Sequence, residues 1–145
     1  MSTEEIREFQ GQYRWLSNFW PAPISYGHDI YPTVEHFYQA MKTTDQTKRK
    51  AIITLPHAAA VKKFAKTIQL RDDWEDIKLD VMRLAIAKKF VAGSALADLL
   101  LQTGHATLVE GNNWGDTFWG VCKNKGANHL GLIIMAHRQL LLDSQ

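Results

Sequence analysis

The sequence predicts an α+β fold, mostly helical with a few short strands, in a single domain. The chain has 145 residues, a usual length for one domain. In the segments 74–91 and 128–142, buried-type side chains recur on one side with the helical period. Residues 6 to 31 instead carry short extended stretches broken by proline and glycine. No internal repeat, low-complexity tract or Pro/Ser linker divides the chain, so the domain spans 1–145.

Taken in order, Ile6 to Phe9 and Ile24 to Tyr26 read as strands. Trp20-Pro21-Ala22-Pro23 must be extended, because a proline pushes the residue before it out of the helical region. Gly27-His28-Asp29 reads as a hairpin turn. Thr33 is suited to cap a helix running to about Thr43. Residues 46 to 54 and 57 to 66 predict two short helices separated by Pro56. Asp72-Asp73 caps a longer helix from Trp74 to about Val91, with Ile77, Val81, Leu84, Ala85 and Lys88 marking its inner side. Gly93-Ser94 ends it and caps Ala95 to Gln102, which Thr103-Gly104 stops. Ala106 to Glu110 predicts a strand. A last helix runs from about Asn128 to Leu142, with Leu130, Ile133, Ile134, His137 and Leu141 on one side.

Composition narrows the function classes. Seventeen basic and 15 acidic residues leave a net charge of +2, too balanced to predict nucleic-acid binding from charge. A weakly basic surface still suits a phosphorylated small molecule. Cys122 is the single cysteine, so no intramolecular disulfide is expected and a reducing compartment fits. Met1 to Phe9 is polar and acidic, unlike a signal peptide, and the most apolar run, Leu130 to Ala136, is too short for a bilayer. The expectation is a cytoplasmic protein with no membrane partner. The six histidines lack zinc spacing and no phosphate-cradling glycine motif is present, so neither metal nor cofactor is expected.

Two segments carry chemistry. Glu110 to Gly120 holds two of the five tryptophans, three glycines, two carboxylates and two amides. Flat aromatic faces beside hydrogen-bonding groups suit a pocket for a planar, polar ligand. In the helix at 33 to 43, Glu35, Gln39 and Lys42 fall at i, i+4 and i+7 and share a face. Spacing alone favours a solvated stripe there. Facing inward, the same stripe would put a carboxylate, an amide and an amine in a site.

Several segments together resemble one family. Tyr13-Arg14-Trp15-Leu16-Ser17-Asn18-Phe19-Trp20-Pro21, Tyr31-Pro32-Thr33-Val34-Glu35-His36 with Gln39-Ala40-Met41-Lys42, and Leu70-Arg71-Asp72-Asp73-Trp74 with Lys78 and Val81-Met82 follow its order and spacing. So do Thr103-Gly104, Glu110 to Asp116, Phe118-Trp119-Gly120, and Asn128-Leu130-Gly131-Met135-Arg138. The chain is similar to the YbiA-like, or NADAR, proteins along nearly its whole length. It departs from them where they often carry a Gly-Arg pair. Here that region reads Val61-Lys62-Lys63-Phe64-Ala65-Lys66, so Lys62, Lys63 or Lys66 would replace an arginine at phosphate.

The resemblance implies an N-glycosidase that cuts between ribose C1 and a nitrogen. Ribosylamino-pyrimidine phosphates of riboflavin synthesis, releasing ribose 5-phosphate, are the first expectation, and ADP-ribosylated guanine bases the alternative. A non-catalytic reader of ADP-ribose or nucleotides is the rival from another class, and a helical interaction module a third. Glu35 is the first catalytic carboxylate and Asp116 the second, since a developing oxocarbenium ion needs a negative partner and the leaving base a proton. Lys42 opens a different route, through a Schiff base at C1 of an opened sugar. Direct attack by water and the Schiff-base route both stay open at this level. Phe19, Trp20, Trp114 and Trp119 are expected to stack on the base, with Asn18, Asn112 and Asn113 reading its edge. His36 and Gln39 are further substrate-binding candidates, and Arg14, Lys62 and Arg138 are candidates for phosphate.

Plainer readings stand beside these. Trp15 and Trp74 suit the core better than a platform. Asn128 reads as a helix cap, Arg71 and Asp72 as a helix-start ion pair, His36 as a structural histidine and Cys122 as a packing residue.

Overall fold

A computed structural model describes residues 4–145; the first three residues of the polar N-terminal stretch lie outside it. In chain order the elements are β1 (Glu5–Glu8), a 3-10 helix (Gly11–Leu16), β2 (Ile24–Tyr26), β3 (Asp29–Tyr31), α1 (Val34–Ala40), α2 (Gln46–Ile53), α3 (Ala58–Ala65), α4 (Trp74–Lys89), α5 (Ala95–Gln102), β4 (Thr107–Asn112), β5 (Val121–Cys122) and α6 (His129–Asp143). The α+β reading holds. Gly11–Leu16 differs from it: this segment forms a 3-10 helix that buries Trp15 and Leu16, where strands and turns were expected.

The backbone clusters into two compact units, Asn18–Lys89 and the residues on either side of it. In the flanking unit, β4 lies between β1 and β5 and pairs in parallel with both. Ile6 and Leu108 point to one side of this sheet and are buried, and α6 packs on β4. The close fit demands Gly131, whose Cβ would collide with the Leu108 carbonyl oxygen. Asn128 precedes α6 with a left-handed φ of 54°. It makes no cap hydrogen bond. Its side chain instead staples β4, donating to Leu108 O at 2.9 Å and accepting from Glu110 N at 3.0 Å. The cap expected from sequence is therefore a strand staple. Arg138 is buried too. Its guanidinium donates to Thr103 Oγ1 and Ala106 O, both at 2.8 Å. That commitment corrects its reading as a phosphate ligand.

In the Asn18–Lys89 unit, β2 and β3 form an antiparallel hairpin around Gly27-His28, and α1 packs against α2, α3 and α4. All seven residues of α1 are buried. α4 turns Trp74, Met82, Ala85, Ile86 and Lys89 inward. Leu84 is exposed, so the inner face lies about one residue away from the predicted one. Burial pushes the Lys89 ammonium down to about 7. At the start of α4, Arg71 pairs with Asp73 rather than Asp72, with Nε donating to Oδ1 at 2.6 Å and Nη2 to Oδ2 at 3.2 Å. No described helix is long and apolar enough to cross a membrane.

Candidate active site

Thr33 starts α1 as its sequence position requires. Its backbone is extended, and its hydroxyl accepts from His36 N at 3.1 Å. This places Glu35 in the first turn, where the helix dipole favours a negative charge. Glu35 N donates to Asn18 O at 3.1 Å, which ties the segment before β2 to the head of the helix. Glu35 is only 8% exposed and Gln39 only 5%. The solvated stripe favoured by spacing is therefore wrong for both, and the inward alternative holds.

Burial makes their partners decisive. Gln39 Nε2 donates to Glu35 Oε1 at 2.6 Å. The short contact fixes the amide's orientation, because an ionised carboxylate accepts only and must face the NH2 end. Gln39 Oε1 is then left buried with no donor among the described residues, and so is Asn18 Oδ1. Asn18 Nδ2 lies 3.7 Å from Met82 Sδ. Two buried amide oxygens without a protein donor are ready acceptors for the N–H or O–H groups of a ligand.

Lys42 was expected on the same helical face. α1 closes at Met41, however, and Lys42 sits in the turn beyond it. The earlier stop reaims the side chain. Its ammonium lies 5.4 Å from the Tyr38 ring centroid and 5.9 Å from that of Trp74. The two rings meet edge to face at 5.2 Å. Removal from water lowers the Lys42 pKa; Glu35 raises it, while Lys62 and Lys78 lower it. Tyr38 and Trp74 are the residues that sequence reasoning missed. Tyr38 was findable, since a residue four before Lys42 lies beside it on a helix. Trp74 is core as expected, at 4% exposure, but one ring face also serves the amine.

His36 is occupied at both ring nitrogens, by Thr33 Oγ1 at 2.8 Å and Leu55 O at 3.1 Å. Burial also lowers its pKa. This is a structural histidine, and its reading as a ligand contact is withdrawn.

The segment from Glu110 to Gly120 belongs to the other unit. Asn112 is its internal brace: Nδ2 donates to Asp116 O at 2.9 Å and to Glu110 Oε2 at 3.1 Å, while Oδ1 accepts from Asp116 N at 3.0 Å. Both ends of the amide are spent, which corrects its reading as a base-edge reader. Asp116 Oδ1 accepts from Phe118 N at 3.1 Å and Trp119 N at 2.9 Å. The carboxylate thus shapes the turn that holds both rings. Phe118 packs at 4.8 Å from Trp119 and 4.5 Å from His129. A Cβ at Gly120 would collide with Glu110, so only glycine fits there. Asn113 is exposed, as is Trp114 at 52%. In the polypeptide near Asn18, Phe19 is 45% exposed and Trp20 half-buried, and Arg14 is exposed on the 3-10 helix.

An α+β chain whose short buried helix sets an acid against an amide, with a partly desolvated amine just beyond, carries the equipment for proton transfer and amine chemistry on a polar ligand. The NADAR domain profile matches residues 6–142, and the chain belongs to that family. It is 43% identical over 134 residues to a Nostoc punctiforme protein named as an N-glycosidase, covering 88% of this chain and 85% of that one. It is 38% identical over 132 residues to the Escherichia coli protein named N-glycosidase YbiA, covering 89% and 82%. A Vibrio vulnificus riboflavin biosynthesis protein is 35% identical over 130 residues, and there the chain spans only 35% of the relative's length. The NMR structure of E. coli YbiA superposes with a TM-score of 0.86 at 33% identity, covering 99% of this chain and 89% of that one.

Proposed function

We propose that this protein is an N-glycosidase that hydrolyses the bond between ribose C1 and a base nitrogen, acting on a phosphorylated ribosylamino-pyrimidine. The observation that carries the reading is the buried Glu35–Gln39 pair with Lys42 in the next turn, its amine partly withdrawn from water. The names of the relatives support the N-glycosyl bond, and the Vibrio name supports the riboflavin-related substrate.

Glu35 and Lys42 share one working proton in this scheme. Its transfer from the Lys42 ammonium to Glu35 makes a neutral nucleophile and a carboxylic acid in one step. Glu35 then protonates the ribose ring oxygen as the C1–O bond opens, leaving C1 doubly bonded to the base nitrogen. The Lys42 amine adds to C1, and the base departs as its amine, taking a proton. Water hydrolyses the remaining Lys42–C1 imine to the sugar aldehyde and restores the amine. The buried oxygens of Gln39 and Asn18 accept from substrate N–H or O–H groups. Phe19 and Trp20 supply stacking faces; in the other unit, Asp116 holds the turn that carries Trp119.

The test is release of ribose 5-phosphate from a ribosylamino-pyrimidine 5'-phosphate, with ADP-ribosylated guanine as the comparison substrate. Glu35→Gln should keep its fold and lose at least about 100-fold in kcat. Full turnover by that variant would remove Glu35 from the chemistry.

A further inference from the structure

The turn that carries Lys42 is held by two arginines. An α-helix ends with carbonyls that have no helical donor, and they must be satisfied elsewhere when buried. At and just past the end of α1 lie the carbonyls of Ala40 to Thr43, of which Ala40 O also accepts from Thr43 N at 3.3 Å. Arg49 Nε reaches two of them, Thr43 O at 2.9 Å and Ala40 O at 3.3 Å. Arg71 reaches the two between. Its backbone N–H donates to Lys42 O at 2.8 Å, and its Nη1 to Met41 O at 3.4 Å. Arg49 comes from α2 and is 9% exposed, whereas Arg71 comes from the segment entering α4.

Arg71 has a second connection. The remaining edge of its guanidinium is forked onto Asp73, and its own carbonyl accepts from Trp74 N at 3.2 Å. Trp74 is the first residue of α4, and its ring stands beside the Lys42 ammonium. One side chain therefore joins the backbone of the Lys42 turn to the start of the helix that supplies the ring. An exposed ion pair contributes little to stability by itself. A planar, bidentate fork does fix geometry, which a lysine could not reproduce.

We propose that Arg71 is a positioning residue: locked by Asp73, it registers the Met41–Lys42 turn against Trp74 so that the Lys42 amine is held at the aromatic pair. Arg49 anchors the opposite side of the same turn. The proposal rests on Lys42 being the reactive amine for its bearing on turnover, but not for its geometry. The charged groups acting on Lys42 are Glu35 from α1, Lys62 from α3 and Lys78 from α4. Lys78 is itself paired with Glu75 at 2.6 Å. None of these groups is changed by altering Arg71.

The experiment labels the lysines of the full chain by reductive methylation with 13C-formaldehyde. The Lys42 signal is assigned from its loss in Lys42→Arg and titrated by NMR in wild type, Arg71→Gln, Arg71→Lys and Asp73→Asn. Circular dichroism confirms that each variant is folded. Asp73→Asn leaves the arginine in place and loosens only the fork, which serves if Arg71→Gln does not fold. Loss of registry should raise the Lys42 pKa toward the ordinary lysine value by about half a unit or more in Arg71→Gln. It should lower kcat about tenfold or more while KM stays within about twofold. Arg71→Lys should recover only part of the loss. An unchanged Lys42 titration in folded Arg71→Gln and Asp73→Asn overturns the proposal. A shifted titration with full turnover upholds the positioning role and overturns the reading of Lys42 as the reactive amine.

Discussion

Gln39 Nε2 donates to Glu35 Oε1 at 2.6 Å inside a helix whose every residue is buried. Two consequences follow from this pair. The carboxylate keeps a charge-assisted partner although it is out of water, and the amide's own oxygen is left without a donor among the described residues. Gln39→Leu removes both. It should cost about 1.5–3 kcal/mol in stability by chemical denaturation, the usual loss for a hydrogen bond to a charged group. It should also lower kcat about tenfold and raise KM. Kinetics unchanged in both parameters would place Gln39 outside the site.

The one-proton pair predicts a bell-shaped pH dependence. Below the pKa of Glu35 the pair holds two protons, and the amine cannot be freed. Above the pKa of Lys42 it holds none, and nothing protonates the ring oxygen. The alkaline limb therefore reports Lys42, and withdrawal from water moves it below the ordinary lysine value. In Glu35→Gln the influence that raises the Lys42 pKa is gone, so its titration by NMR should move lower still. An alkaline limb at the ordinary lysine value would count against a desolvated amine in catalysis.

Asp116 separates structural from chemical roles cleanly, because Oδ1 accepts from the amides of Phe118 and Trp119. Asparagine can still accept with its oxygen, whereas alanine cannot. If Asp116 works mainly by shaping the turn, Asp116→Asn should keep kcat within about threefold. Asp116→Ala should lose about 1–2 kcal/mol of stability and raise KM. A collapse of kcat in folded Asp116→Asn would restore the carboxylate to the chemistry, as the second acid expected from the sequence.

What could be read from the sequence was local. Thr33 and Ser94 are caps because of the residues next to them, and the helices they start lie close to where spacing put them. The hairpin around Gly27-His28 was legible for the same reason. Burial of Glu35 and Gln39 was not, because i and i+4 spacing says which side chains share a face and not where that face points. The inner side of α4 was misplaced because Leu84 looks like a core residue while Lys89 does not, yet Leu84 is exposed and Lys89 buried. The jobs of Asn128 and Arg138 escaped because each meets backbone atoms that only the fold brings near. The same holds for Trp74 beside Lys42, and for Arg71 against the carbonyls of Met41 and Lys42.

The central claim is that Lys42 attacks ribose C1 and that the sugar passes through a covalent imine. Borohydride reduction during turnover of a ribosylamino-pyrimidine 5'-phosphate, followed by peptide mass spectrometry, tests it most directly. The account predicts a reduced ribose phosphate adduct on the peptide containing Lys42, absent from Lys42→Arg and absent without substrate. Steady release of ribose 5-phosphate with no adduct at Lys42 under trapping conditions would contradict it, leaving direct attack by water as the route.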